Sequence, residues 1–196
     1  LSHNFNELDE KVIRSISFQA VKILKILKIQ KVVHNNIKFE NFIVQSDSPV
    51  KISLTDFKMS QILNENEKSN MLIGTTVYKA PEILKKLGHD FAADMWSLGA
   101  NIYLSFLKKF PFSIEISDNE SEVLHKIENN ELSNKGNVIP ADAWECITKM
   151  LVINPDERIT PDDALNLKWF ESELNPPAVA PAPNEIRLFT GEEDDE

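Results

Sequence analysis

The chain has 196 residues, 42% of them hydrophobic and 27% charged, enough for one domain that buries roughly 70% of the surface its unfolded form exposes, and no apolar run approaches the ~18 residues that cross a bilayer. The lone Cys146 excludes an internal disulfide and a cysteine-based zinc cage, and no charged-then-apolar leader opens the sequence, which fits a reducing, intracellular and cytoplasmic setting. Of the net charge of −10, eight acidic residues against Arg187 from Glu171 onward account for −7, and no part of the chain carries the basic stripe that nucleic-acid binding needs.

The first residue is Leu1, as expected of an excerpt or of a product that begins further upstream. From Asp9 to Val33 the residues Ile13, Ile16, Ala20, Ile23, Leu24 and Leu27 fall on one helical face, predicting a helix with that face buried. Lys22, Lys25, Lys28 and Lys31 recur every three residues and spread over the opposite half. A solvated face is their plain reading, and a basic membrane-surface or calmodulin-target helix is the alternative. Ile26 and Ile29 lie among these lysines, placed to cover a neighbouring surface.

Phe42 to Val44 and Val50 to Leu54 are short β-like runs joined by polar turn chemistry, which predicts a hairpin. With Val44 opposite Val50, Asn41 and Asp56 emerge near one end. Asp56 then lies about three residues, or ~10 Å of extended chain, past the partner of Asn41, and a bend after Thr55 must bring the two together.

Glu82 to Leu87 reads as a short helix ended by Gly88, and Asp94 to Leu107, apolar nearly all round, as a helix buried on every side. Glu120 to Asn129 turns Val123, Leu124 and Ile127 inward, and Pro140 to Ile153 does the same with Ala143, Trp144, Ile147 and Leu151. Thr160 as N-cap, Pro161 in the first turn and Asp163 three residues after the cap predict a last helix running through Trp169. The folded domain is expected over residues 1–174. Beyond it, Pro176, Pro177, Pro181 and Pro183 and the run Glu192 to Glu196 predict a proline-rich acidic tail, 175–196, that does not order itself, stays mobile and is dispensable for folding.

The order of short motifs carries the functional signal. His34-Asn35-Asn36-Ile37-Lys38-Phe39-Glu40-Asn41 resembles the protein-kinase catalytic loop His-Arg-Asp-Leu-x-x-x-Asn, and Asp56-Phe57-Lys58 follows after a hairpin where that family has Asp-Phe-Gly. Gly74 to Glu82 is similar to the segment Gly-Thr-Pro-x-Tyr-x-Ala-Pro-Glu in all but the proline, the serine/threonine form. Asp94-Met95-Trp96-Ser97-Leu98-Gly99 resembles the family's buried central helix, and Asn154 to Thr160 its late Asp-Pro-x-x-Arg-x-Thr turn. Ala164-Leu165 and Trp169-Phe170 resemble the ending of calcium/calmodulin-dependent-type kinases.

The resemblance implies an α+β protein-kinase-like fold, here mainly the α-helical C-terminal lobe with one small β-hairpin, the small N-terminal lobe being absent. It also implies a buried ion pair between Glu82 and Arg158. An unrelated helical bundle would explain the helices but not the order of the motifs.

Departures from the pattern decide the expected chemistry. Family catalysis takes the substrate hydroxyl's proton on a carboxylate at the position of Asn36, and an amide does not accept a proton at neutral pH. Loss of a general base costs typically ~10²–10⁴-fold in rate, about 3 to 5 kcal/mol of barrier. Asn35 replaces the arginine that in many kinases receives an activation-loop phosphate, so a switch through Ser60 or Ser69 by that route is not expected. Lys58 replaces a glycine and is placed to pair with Asp56 instead of a metal.

Lys38 remains as the residue that in the family helps hold the transferred phosphate, and Asn41 and Asp56 as those that bind the nucleotide's magnesium. Such oxygen ligands suit magnesium when nucleotide phosphates complete the shell; ordinary surface polarity is the bland reading of each. Gly74, Gly88, Gly99, Gly136 and Gly191 never form a Gly-x-Gly, so no phosphate-covering loop is present. Ala20-Val21-Lys22-Ile23-Leu24 imitates the family's Val-Ala-Ile-Lys strand, but Lys22 lies inside the helical pattern and only twelve residues before His34. The stretch Gln19 to His34 instead aligns without gaps to the helix preceding the family's catalytic loop. Cys146, between Trp144 and Met150, reads as core rather than as a thiol nucleophile served by His125 or His34, and His3 and His89 lack metal-ligand spacing.

ATP and magnesium are thus the family cofactors, with weak or absent binding expected in this chain. The leading expectation is a catalytically impaired, pseudokinase-like signalling domain that meets a protein partner or protein substrate, as a scaffold or as an allosteric partner of an active kinase, without nucleic acid or membrane. An active ATP-dependent protein serine/threonine kinase is the alternative, should a small lobe lie upstream and residual transfer survive Asn36. A truncated or decaying gene product is the third.

Overall fold

Helix α1 spans Glu10–Ile29 in the computed structural model, which describes residues 9–47 and 49–174. Its predicted face is inward: Ile13, Ile16, Ala20 and Leu24 are buried, and Ile23 and Leu27 are partly buried against the same core. The helix stops four residues short of the expected Val33. Lys31 takes a left-handed φ of 59°, and its carbonyl accepts the Leu63 N–H at 2.8 Å. The β-branched pair Val32–Val33 then forms strand β1, antiparallel to β4 at Gln61–Ile62.

The hairpin forms from β2, Phe42–Asp47, and β3, Val50–Leu54. Its register differs from the expected one, because Val44 faces Ile52 while Asp47 faces Val50. The turn is tighter than the polar run Gln45 to Pro49 suggested, and Gln45 has no opposite partner, as at a β-bulge. As a result Thr55 lies opposite Asn41, and both its N–H and its hydroxyl donate to the Asn41 carbonyl at 2.9 Å. Asp56 is therefore one residue beyond Asn41's partner rather than three.

After the short helix α2, Pro81–Leu84, the central helix α3 covers Phe91–Leu107. It begins earlier than Asp94 because the Asp90 side chain caps it, accepting the Ala92 N–H at 2.9 Å. Met95, Trp96, Leu98, Ala100 and Ile102 are all buried, as the all-round apolar pattern required. A Cβ on Gly99 would stand 2.7 Å from Cβ of Met150, so the close approach of α3 to α5, Ala141–Met150, depends on that glycine.

Helix α4 has the expected bounds, Glu120–Asn129, set by an Asn119/Glu122 capping box. Thr160 caps α6 as predicted, its hydroxyl accepting the Asp163 N–H at 3.2 Å, but α6 ends at Ala164. The Asn166 side chain bonds the Asp162 carbonyl at 3.0 Å, a local competitor of helix continuation. A 3-10 turn at Lys168–Phe170 then buries the consecutive Trp169 and Phe170 side by side before α7, Glu171–Leu174. The expected tail, 175–196, lies outside the described residues.

The result is the mainly helical C-terminal lobe of an α+β fold, with two small two-stranded sheets at the end where β1 leads into residues 34–41. No helix among the described residues is long and apolar enough to cross a membrane.

Candidate active site

Residues 34–41 leave β1 as a loop hung on the first turn of α3. The backbone N–H groups of His34 and Asn35 donate to the two carboxylate oxygens of Asp94, at 2.8 and 3.0 Å. Asp94 is buried, and desolvation raises its pKa to about 7, against the opposing pull of those two N–H donors. Burial likewise lowers the pKa of His34, so its imidazole is neutral at pH 7. His34 Nε2 lies 3.0 Å from the Thr55 carbonyl and Nδ1 faces the Asn36 N–H at 3.3 Å, which assigns the proton to Nε2. The ring meets Phe57 edge-on at 4.9 Å, joining the loop to the segment that carries Asp56.

Asn35, at a left-handed φ of 66°, is a junction. Its Nδ2 donates to the Met59 carbonyl at 2.9 Å, and its Oδ1 accepts from His89 Nε2 at 2.7 Å. Its own carbonyl would be 2.5 Å from a Cβ on Gly74, which sits at φ +100°, so glycine is required where the later segment crosses the loop.

Asn36, Asn41 and Asp56 come together. Asn36 Nδ2 points to Asp56 Oδ2 at 3.4 Å, its Oδ1 accepts the Thr75 hydroxyl at 3.2 Å, and its backbone carbonyl accepts Asn41 Nδ2 at 2.8 Å. Asp56 holds a left-handed backbone, φ 61° and ψ 58°, the bend that the sequence required after Thr55. Lys38 is half-buried, next to this cluster in sequence, and its ammonium makes no hydrogen bond or ion pair with a described residue. Lys58 is exposed and, among the described residues, forms no ion pair with Asp56, contrary to the pairing its position suggested. Lys58 lies in the 3-10 turn Phe57–Met59 that follows the left-handed Asp56, while the Asp56 carboxylate turns to Asn36. A cleft of about 210 Å³ opens beside the loop, lined by Phe39, Glu40, Tyr78, Asn101 and Leu104 among others.

The family model described as the protein kinase domain matches residues 1–170. The chain belongs to the protein kinase domain family. It is 31% identical over 173 residues to an Aurora kinase of Dictyostelium discoideum, across 88% of this chain and 43% of that one. It is 30% identical over 176 residues to serine/threonine-protein kinase 17A of Oryctolagus cuniculus (87% and 44%), and 28% over 180 residues to serine/threonine-protein kinase D3 of Homo sapiens (87% and 19%). All three relatives are kinases, two of them named as serine/threonine-protein kinases, and the chain spans less than half the length of each.

For a kinase-family domain, the donor set offered to magnesium is small. Asn41 spends Nδ2 on the Asn36 carbonyl, its Oδ1 has no hydrogen bond among the described residues, and the Asp56 carboxylate stands on the other side of Asn36. Among the described residues no three His, Cys, Asp or Glu side chains gather to hold a metal on their own. The arrangement fits magnesium whose remaining ligands are phosphate oxygens and waters, and Asn41 and Asp56 are the residues that would hold it.

Sequence reasoning found these residues but missed three that organise them. Asp94 was visible as the start of a buried helix, and a lone carboxylate at the head of an apolar run is the signal that it serves backbone donors. Thr75 stood in a recognised segment, yet its bond to Asn36 spans 39 residues and has no local signature. His89 had no ligand spacing because its partner is an amide. Cys146 is buried with its pKa pushed far up by desolvation, as core packing implied.

Proposed function

We propose that this kinase-family domain is catalytically impaired and acts inside the cell through protein contacts, as a scaffold or an allosteric partner of an active kinase. The observation that supports this reading is the placement of Asn36. Its amide is already engaged on both sides, donating toward Asp56 and accepting from Thr75, at the position where a proton acceptor for the substrate hydroxyl is needed. An amide there preserves the polar scaffold of the loop while removing the base.

The active-kinase reading draws on a different observation, the retained Lys38, Asn41 and Asp56, with the Lys38 ammonium and the Asn41 amide oxygen unbonded among the described residues. When bound, ATP and magnesium would supply the phosphoryl group and the neutralisation of its charge. Asn41 and Asp56 would hold the cation, and Lys38 would face the phosphate. Calorimetric titration of the purified chain with ATP, with and without magnesium, separates the two. The impaired reading expects no saturable heat at millimolar nucleotide; tight binding that requires magnesium and disappears in Asp56→Ala would favour the enzyme.

A further inference from the structure

His89 is buried, 2% exposed, and all but one of its polar groups are bonded to other segments. Its N–H donates to the Ser69 carbonyl at 2.9 Å, its carbonyl accepts the Ser69 N–H at 2.8 Å, and its ring Nε2 lies 2.7 Å from Asn35 Oδ1. The Asn35 amide has one workable orientation, because its Nδ2 faces the Met59 carbonyl, which only accepts. Oδ1 therefore faces His89, and the proton of the neutral imidazole is assigned to Nε2. The other nitrogen, Nδ1, has no hydrogen-bond partner among the described residues.

Residues 68–76 form a strap over the loop that begins at His34. Ser69 is bridged to His89, Gly74 crosses the Asn35 carbonyl, and the Thr75 hydroxyl donates to Asn36 Oδ1 at 3.2 Å. Lys79 adds a long bond to the Leu72 carbonyl at 3.3 Å. Of the groups that make these contacts, the His89 imidazole is the one whose ordinary titration falls between pH 5 and 8.

A second proton on His89 would go to Nδ1, in a buried place where no acceptor meets it. Desolvation accordingly lowers its pKa, and the charges of Glu82 and Asp90 oppose that shift only in part. Neither carboxylate turns to the ring: Glu82 of α2 has both oxygens on Arg158, and Asp90 at the head of α3 accepts the Ala92 N–H. From the strap, Lys68 stands against Gly88 and brings a like charge. On the loop side Asn35 is neutral, with His34 and Asp94 one contact further away. The closed strap thus favours the neutral ring, so its hold is complete above pH ~6.5 and weakens as pH falls below that value. Asp94, whose pKa is raised, acts with the opposite sign and strengthens the loop's own anchorage as pH falls.

We propose that His89 is a proton-operated latch: a second proton on its ring releases the Ser69 bridge and lets residues 68–76 lift from Asn35 and Asn36. The lifted strap takes Thr75 away from the Asn36 amide and uncovers that side of the site. The latch acts on the backbone over the site and stands whether or not the site transfers phosphate.

Hydrogen exchange on the full chain tests it, read as protection factors, which divide out the intrinsic pH dependence of exchange. An open form with an ordinary histidine and a closed form that resists protonation differ by up to about ten-fold more opening at pH 5.5 than at pH 7.5. Protection of the Ser69 and His89 amides should therefore fall roughly five- to ten-fold between those pH values, while that of α3 and α5 stays within about two-fold. In His89→Gln, whose amide nitrogen takes the place of Nε2 without titrating, the fall should vanish. The His89 ring signals of the parent, followed by NMR, should titrate below pH ~6.5, a reading that needs no variant. Titration at or above that value overturns the proposal, as does unchanged Ser69 protection or a fall shared equally by α3 and α5. A fall that survives in His89→Gln also overturns it, by assigning the response to His34 or Asp94.

Discussion

Arg158 grips Glu82 through two parallel hydrogen bonds, Nη1 to Oε1 at 2.7 Å and Nη2 to Oε2 at 2.9 Å, with side chains 0% and 4% exposed. The pairing that the family resemblance implied is present, and it ties α2 to the turn before α6. The guanidinium also donates to the carbonyls of Ala92 at 2.8 Å and Val152 at 3.0 Å, and lies 5.1 Å from the Trp96 ring. Such saturation is what makes a buried ion pair tolerable.

Removing one partner leaves the other charge buried alone. Glu82→Ala should therefore lose ~3–5 kcal/mol of stability, read as a lower denaturant midpoint with little change in slope. A midpoint equal to the parent's would show that the pair contributes nothing to the fold.

Asp94 gives a pH-dependent signature whose sign is fixed by its environment. Its pKa rises from 3.8 to about 7 on folding, so between those values the native state holds a proton that the unfolded state has released. Its contribution to stability therefore falls as pH rises through that window and levels off above it. Asp94→Asn removes the titration and leaves one of the His34 and Asn35 N–H donors without an acceptor, a cost of ~1–3 kcal/mol. The stability gap between parent and variant should narrow from pH 4.5 to pH 8 in urea titrations. His34 and His89 titrate in both proteins and cancel. A gap that widens with pH would mean that Asp94 is held as a carboxylate throughout.

His89 ties the backbone at Ser69 to the loop at Asn35. Its backbone exchanges two hydrogen bonds with Ser69, at 2.8 and 2.9 Å, while its ring donates to Asn35. His89→Ala leaves the buried Asn35 oxygen unpaired, so a loss of ~1–3 kcal/mol is expected. Faster amide exchange should be confined to residues 57–76 and the catalytic loop. Exchange that quickens equally across α3 and α5 would indicate global destabilisation rather than a local clasp.

The ordered motifs made the lobe legible, because each depends on residue types whose chemistry is local: a cap at Thr160, an apolar helix after Asp94, a left-handed bend at Asp56. The hairpin register was not legible. Val44 is equally apolar opposite Val50 or Ile52, and the choice is settled by the bulge at Gln45 and by Thr55 reaching Asn41. The single last helix failed for a related reason, since Trp169 and Phe170 are adjacent in sequence and both reach the core only if the helix breaks after Ala164. At the site, the resemblance of residues 34–41 and 56–58 to the family's motifs named Asn36, Lys38, Asn41 and Asp56. It gave no sign that Lys58 would turn outward, because side-chain direction after a left-handed residue is a tertiary property.

The impaired reading makes its sharpest prediction for Asn36. The parent chain should transfer no phosphate from radiolabelled ATP to a general serine/threonine substrate above the buffer rate, and Asn36→Asp alone should not restore transfer. A carboxylate at position 36 would sit beside Asp56, whose Oδ2 now accepts from the Asn36 amide, and would exchange that hydrogen bond for like-charge repulsion at about the same distance. The Thr75 hydroxyl would still donate to it, so the loop need not unfold. The base would be regained and the carboxylate proposed to hold magnesium, Asp56, disturbed. Transfer also depends on positioning and on neutralising the phosphate charge, worth more than the ~10²–10⁴-fold of the base itself, and among the described residues only Lys38, Asn41 and Asp56 are placed to contribute. Magnesium-dependent transfer by the parent that disappears in Asp56→Ala would overturn the impaired reading. Transfer appearing only in Asn36→Asp would locate the entire defect in one amide and show that this lobe organises the nucleotide unaided.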